Sequence, residues 1–340
     1  MNGYQRIAAA LGGDWPDVRP VMLHNFMMAA REAGFTMRQY RSDPEVMARC
    51  HIQAVETYGY DGILVDMDTA TLAGAAGVPV EFPEDEPAVC RGQRIASLDE
   101  ARILPPVSVA QYPSVQVWLE AVRLLRRHFG DEVYVRGNCD QCAFSLASMV
   151  LGSESWMIGI MDESSSQDAH RLLEWCAGLT NEFIRLMADT GAHMVSNGDS
   201  PAGPSLVSPR LYRQFALPYE KKTVEEAHRL GLPYMLHICG KTEPILDDMV
   251  STGADALELD YKTDPVRACD ALADRVTFVG NIDPTGVLAQ GTQADVTRGT
   301  RELLRVFAGT PRFILNAGCA IPADTPPENL RALIRAAREG

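Results

Sequence analysis

The sequence predicts a (β/α)8 barrel, an α/β fold, and three observations predict it. Eight short apolar runs alternate with eight longer helical patterns along the 340 residues. Strands alternating with helices build parallel βαβ units. A closed barrel of this kind needs roughly 250 residues and tolerates insertions. The third observation is a missing motif: no G-x-G-x-x-G follows the first apolar run, which removes the main reason to read an open dinucleotide-binding sheet.

The strand-like runs are 21–25 (VMLHN), 62–66 (GILVD), 133–136 (VYVR), 193–196 (HMVS), 234–238 (YMLHI), 256–259 (ALEL), 276–280 (VTFVG) and 313–316 (FILN). Helical periodicity is clearest over 44–58, 114–129, 168–190, 209–230, 243–252, 265–272, 293–307 and 327–338. Start signals support several of these. Asp43-Pro44, Ser208-Pro209 and Asp264-Pro265 each place a capping side chain before a proline at the first helical position, and Thr325-Pro326-Pro327-Glu328 resembles a capped start. Residues 67–113 and 152–167 break the rhythm and read as extended loops over the C-terminal face of the barrel. No repeat or low-complexity tract divides the chain, so residues 1–340 are expected to form a single barrel domain.

Composition narrows the function. The net charge is −14 with no Lys/Arg block, which argues against a nucleic-acid surface. No apolar run reaches the length of a membrane span, and residues 1–10 lack a signal-peptide pattern, so the protein is expected to be cytoplasmic and away from membranes. Eight cysteines in a chain of this length do not form a disulfide framework and read as thiols or metal ligands.

In a barrel, functional side chains project from the C-terminal strand ends. The fifth run ends in His237-Ile238-Cys239-Gly240, and a two-residue spacing puts His237 and Cys239 on one face. The eighth ends in Asn316-Ala317-Gly318-Cys319, bringing a second thiol to the same rim. Zinc accepts imidazole and thiolate together, and a catalytic zinc keeps one position open. On spacing alone, packing competes with metal binding at these residues. Asp260 ends the sixth run. It is expected either as a weak fourth ligand that substrate displaces, and so as a catalytic carboxylate, or as a partner of the ligand histidine. Three rims carry Asn-x-Asp: Asn138 with Asp140, Asn197 with Asp199, and Asn281 with Asp283. Turn capping explains each alone. Together they predict a polar mouth in which Asn138, Asn197, Asp199, Asn281 and Asp283 contact substrate. His24 ends the first run and can point into the same mouth, while Cys139 and Cys142 read as two unlinked thiols. Serine-hydrolase (G-x-S-x-G) and Walker A motifs are absent.

The segments LHICGKTEPILDDMVSTGADALELD (236–260), VGNIDPTGVLAQGT (279–292) and FILNAGCAIPADTPPENLRALI (313–334) resemble the uroporphyrinogen decarboxylase superfamily. Within it, H-x-C with a late G-C resembles the corrinoid-dependent methyltransferase branch, whose best-known members are methylcobamide:coenzyme M methyltransferases. The resemblance implies zinc on His237, Cys239 and Cys319, with Asp260 in the place of an acidic residue that completes the shell. It also implies methyl transfer between a corrinoid and a small thiol or other acceptor or donor, in either direction. No D-x-H-x-x-G motif is present, so the corrinoid is expected on a partner protein. A tetrapyrrole decarboxylase is the alternative within the family. The stretch 30–45 keeps Arg31, Arg38 and Arg41 but lacks the R-Q-A-G-R wording of those enzymes. That reaction needs no metal and leaves H-x-C unexplained. A non-catalytic zinc-binding barrel is a third reading, and it requires a closed site of four protein ligands.

Overall fold

The computed structural model describes residues 1–272 and 275–339. Eight parallel strands follow one another around a barrel in chain order. They are β1 Met22–Leu23, β2 Gly62–Val65, β3 Tyr134–Gln141, β4 Met194–Gly198, β5 Tyr234–Ile238, β6 Ala256–Leu259, β7 Thr277–Ile282 and β8 Phe313–Ala317. A parallel bridge from Val21 to Leu315 closes the ring between first and last strands. Every predicted strand is present, and β3 runs furthest beyond its predicted end. It carries an irregular register between Asn138 and Gln141 against β4, and Asp140 there adopts φ 59°. Asp is one of the few residues that enter this left-handed region.

The inner faces of the strands form layers. Met22, Tyr134, Met194, Met235, Ala256, Val279 and Ile314 pack together at the N-terminal end. The helix Gly3–Gly12, which the sequence reading omitted, closes this end by inserting Ile7 and Ala10. Two residues along β3, the next inward position is Arg136, and on β6 it is Glu258. A polar layer therefore sits above the apolar floor. The register pairs His237 with Glu258 across β5 and β6, and Gly198 with His237 across β4 and β5. That pairing sets His237 beside Glu258, at the level of the polar layer.

The outer helices follow the predicted pattern, and their caps act as expected. Asp43 accepts from Glu45 N at 2.9 Å, Ser208 from Leu211 N, and Asp264 from Val266 N and Arg267 N. Thr325 departs from this, because its hydroxyl is buried without a partner. The predicted helix 209–230 is interrupted by a wide turn at Tyr212–Ala216 before it resumes at Leu217–Arg229. Pro218 lacks the N–H that would continue the ladder.

The two interruptions differ from expectation in detail. Residues 152–167 are not an extended loop: Ser153–Met161 is a helix that buries Trp156 and Ile160, followed by a short turn at Glu163–Ser165. That helix carries little helical periodicity, because Ile158 and Met161 are apolar yet exposed. Residues 67–113 contain a short helix (Thr71–Ala75), a small hairpin (Val80–Glu81 with Val89–Cys90) and two helical turns. Glu86 to Val89 from this hairpin line the mouth of the barrel. Among the described residues, no single helix is long and apolar enough to cross a membrane.

Candidate metal centre

The C-terminal mouth holds a cavity of ≈ 390 Å³. His237, Cys239 and Cys319 all line it, together with His24, Asp66 and Glu258. The ligand atoms of His237, Cys239 and Cys319 lie within 4.8 Å of one another. His237 Nε2 is 3.0 Å from Cys239 Sγ, and the two sulfurs are 3.9 Å apart.

Local structure explains this convergence. Gly240 follows Cys239 with φ 89°, a left-handed conformation that reverses the chain immediately after the thiol. Gly318 precedes Cys319, and a Cβ there would collide with the backbone at Asp260 and Tyr261. Glycine thus lets the β8 turn press against the β6 turn and carry Cys319 inward. Cys239 N donates to Ser200 Oγ at 3.2 Å, which ties the turn to the β4 loop.

The protonation pattern suits a metal. His237 Nδ1 donates to the Glu258 carbonyl, so Nε2 is the nitrogen aimed at the thiols. Burial lowers the His237 pKa, but the hydrogen bond to Cys319 and the Glu258 carboxylate outweigh it and push the ring up to about 9. The hydrogen bond from Cys319 pulls Cys239 below the ordinary thiol range, while Cys239 and burial push Cys319 up to about 12. The first thiolate forms readily and the second resists, as two acids sharing one site must. A divalent soft cation resolves that repulsion, and an imidazole with two thiolates is a zinc-type donor set.

Behind His237, Arg136 makes a bidentate pair with Glu258 at 3.1 and 2.9 Å. Both side chains are 2% exposed. Arg136 Nε also donates to Ser196 Oγ, and Asn316 Nδ2 donates to Glu258 Oε1 at 2.6 Å. Burial opposes ionisation of Glu258, but Arg136 overrides it and holds the carboxyl at about 2. The sequence reading did not single out this pair. Its signal was one basic and one acidic residue inside otherwise apolar strands.

The other predicted site residues divide. Asn138 and Asn197 reach the cavity wall. Asn138 donates to Asp66 Oδ1 at 3.0 Å. Asn197 spends its amide on the Cys139 carbonyl and on the Tyr234 hydroxyl. Asp199, Asn281, Asp283 and Asp260 do not line the cavity. Asp199 is sealed beneath it, accepting from Ser145 N and Ser145 Oγ, and burial raises its pKa to about 6. Asn281 bonds the Asp260 and Thr263 carbonyls. Asp283 caps the turn that follows it through Thr285 N and Gly286 N. Asp260 lies outside the ligand cluster, because Gly240 N at 2.7 Å and Lys262 N at 2.9 Å take its two oxygens. Turn chemistry accounts for three of these four, and Asp199 is buried beside a second acid, Glu220. His24 does point into the mouth, 2.7 Å from Asp66. Cys139 and Cys142 are free, buried thiols whose burial raises their pKa values.

Comparison with known proteins places this architecture. A methylcobamide:CoM methyltransferase (MtbA) of Methanosarcina acetivorans is 27% identical over 299 residues, spanning 87% of this chain and 85% of its own. A uroporphyrinogen decarboxylase of a Synechococcus strain is 28% identical over 309 residues, spanning 89% and 85%. Among solved structures, a methyltransferase from Methanosarcina mazei superposes with a TM-score of 0.89 at 24% identity. That superposition covers 100% of this chain and 99% of that one, so the two share a fold. The match to the uroporphyrinogen decarboxylase (URO-D) family runs over residues 3–340, and the chain belongs to that family.

Proposed function

We propose that the protein is a zinc-dependent methyltransferase that moves a methyl group between a corrinoid on a partner protein and a small thiol. One observation carries this reading: the donor atoms of His237, Cys239 and Cys319 converge within 4.8 Å on the wall of the mouth cavity. Relatives named as methylcobamide:CoM methyltransferases support the corrinoid and the thiol.

Each residue then has a task. His237, Cys239 and Cys319 would hold zinc, and three protein donors leave a fourth position for substrate. The chemistry zinc would supply there is a lowered pKa for a coordinated thiol, and so a thiolate near neutral pH. Glu258 keeps the His237 ring in one tautomer through its carbonyl. Arg136 and Asn316 fix Glu258 in turn. Asp260 and Ser200 pin the Cys239 turn. A methylated corrinoid would supply the methyl group and keep the carbon–cobalt bonding pair, while the substrate thiol would give its proton to solvent and bond the methyl through sulfur. The cavity opens at the barrel mouth, where an incoming corrinoid protein would dock.

The decarboxylase reading has relatives of similar identity. The cavity wall speaks against it. Arg31, Arg38 and Arg41 do not line the cavity, and the wall carries five acidic residues, Asp66, Asp68, Glu86, Asp140 and Glu258, of which Glu258 is paired with Arg136 and burial raises the pKa of Asp140. A substrate with many carboxylates would meet like charge there.

The test is a demethylation assay. Zinc-loaded protein is mixed with methylcobalamin and a thiol panel, and the corrinoid absorption spectrum is followed. Thiol-dependent demethylation that disappears in Cys239→Ala supports the proposal. Zinc bound tightly with no demethylation by any thiol would favour a non-catalytic metal.

A further inference from the structure

The charge on the cavity wall narrows the substrate class. Away from the metal group, the wall carries Asp66, Asp68, Glu86 and Asp140. Among the described residues, Arg136 is the sole Lys or Arg on that wall. Its guanidinium is already committed to Glu258 and Ser196. His24 is held by Asp66. Arg41 acts on Asp68 electrostatically from outside the cavity and donates to the Glu86 carbonyl. The remaining wall is largely apolar, with Phe26, Met27, Leu64 and Val89.

The acids are held in place by their surroundings. Asp66 accepts from Met67 N and Asn138 Nδ2 as well as facing His24. Asp68 accepts from Ala70 N and Thr71 N, and Asp140 from Leu72 N. Burial raises Asp68 to about 6 and Asp140 well above the usual range, each acting on a neighbouring acid. Asp66, Asp68 and Glu86 therefore set acidic side chains along a wall whose one arginine is already paired with Glu258. An anionic group entering here loses its water and finds no free cation, and both effects oppose binding. An ammonium group gains from the same field.

We infer that the substrate's non-reacting end is cationic, making an amine-bearing thiol the preferred partner over a sulfonate- or carboxylate-bearing one. This rests on the thiol reading above and assigns its specificity to Asp66, Asp68 and Glu86. It sets this chain apart from a CoM-type acceptor, which is a sulfonate.

Three thiols that differ only at the far end test it: 2-aminoethanethiol, 2-mercaptoethanol and 2-mercaptoethanesulfonate. Their dissociation constants are measured by calorimetry on the zinc-loaded full chain. The aminothiol is expected to bind tighter than the sulfonate by about tenfold or more, with the alcohol between. Glu86→Gln, at an exposed rim position, and Asp68→Asn should each shrink that ratio. A sulfonate thiol that binds as tightly as the aminothiol overturns the inference, as does a ratio that neither substitution changes. No binding by any of the three instead rejects the thiol reading itself, and this inference falls with it.

Discussion

His237 Nδ1 donates to the main-chain carbonyl of Glu258 at 2.9 Å, and Nε2 of the same ring lies 3.0 Å from Cys239 Sγ. A carbonyl only accepts, so Nδ1 carries a hydrogen, and Nε2 is the nitrogen that would give its lone pair to a metal once its own proton leaves. Neighbouring strands produce this geometry, because His237 and Glu258 are register partners. A ligand histidine oriented by a strand backbone is preorganised before any metal arrives.

Loss of either thiol should remove the metal. Cys239→Ser and Cys319→Ser are expected to lower zinc content from about one per chain to a small fraction of that. The circular dichroism spectrum should be unchanged, because both residues sit in turns at the strand ends. Elemental analysis after gel filtration checks this. Full zinc content in both variants would remove these residues from the ligand set.

Asp260 should behave as a positioning residue. It holds Gly240 N and Lys262 N and lies outside the ligand cluster. Asp260→Ala is expected to weaken zinc binding by roughly 10–100-fold without abolishing it. A competitive chelator titration reads the difference. Complete loss of zinc, equal to that in Cys239→Ser, would make Asp260 a ligand.

The Arg136–Glu258 pair should be costly to break from one side. Arg136→Met leaves the Glu258 carboxylate buried without its cation, which costs about 3–5 kcal/mol of stability. Pairing it with Glu258→Gln removes the stranded charge, and most of that loss should return. Urea denaturation of the single and double variants measures the recovery. Equal destabilisation of the two would show that packing, not charge, dominates.

A buried histidine sets one pH dependence. The Tyr40 hydroxyl donates to the Asp66 carbonyl, so His51 Nε2 must donate to Tyr40. That leaves His51 Nδ1 buried and unpartnered. Burial lowers the His51 pKa from 6.5 to about 4. Between those values the unfolded chain binds the extra proton, so this contribution is complete above pH 6.5 and lost as pH falls towards 4. The shift corresponds to about 3 kcal/mol. His51→Gln keeps the donor and removes the titration. The stability difference between wild type and variant should therefore change by about 2 kcal/mol between pH 7 and pH 4.5, read by urea denaturation. A constant difference would contradict neutral burial of His51.

Much of this was legible in the residues. The strands announced themselves because each is an apolar run between turn signals, and the ligand rim followed from where the runs at 234–238 and 313–316 end. The helix Gly3–Gly12 was not legible as the barrel floor, since nothing within its ten residues says which end of the barrel they close. Asn281 and Asp283 are engaged with nearby backbone, and residues that cap turns are the same types that bind polar ligands. Their hydrogen bonds, known only from the fold, separate the two uses. The Arg136–Glu258 pair joins residues 122 positions apart, and nothing local in either strand pointed to the other. The acidic wall is assembled from the ends of β2 and β3 and the hairpin, so it became visible only when those segments met.

X-ray absorption at the zinc edge tests the central claim most directly. The zinc-loaded protein should show two sulfur ligands at about 2.3 Å and an imidazole nitrogen at about 2.0 Å. Adding 2-aminoethanethiol should raise the sulfur count to three as the thiol takes the open position. A spectrum without sulfur ligands, or a sulfur count that no thiol changes, would contradict a thiol-activating zinc on His237, Cys239 and Cys319.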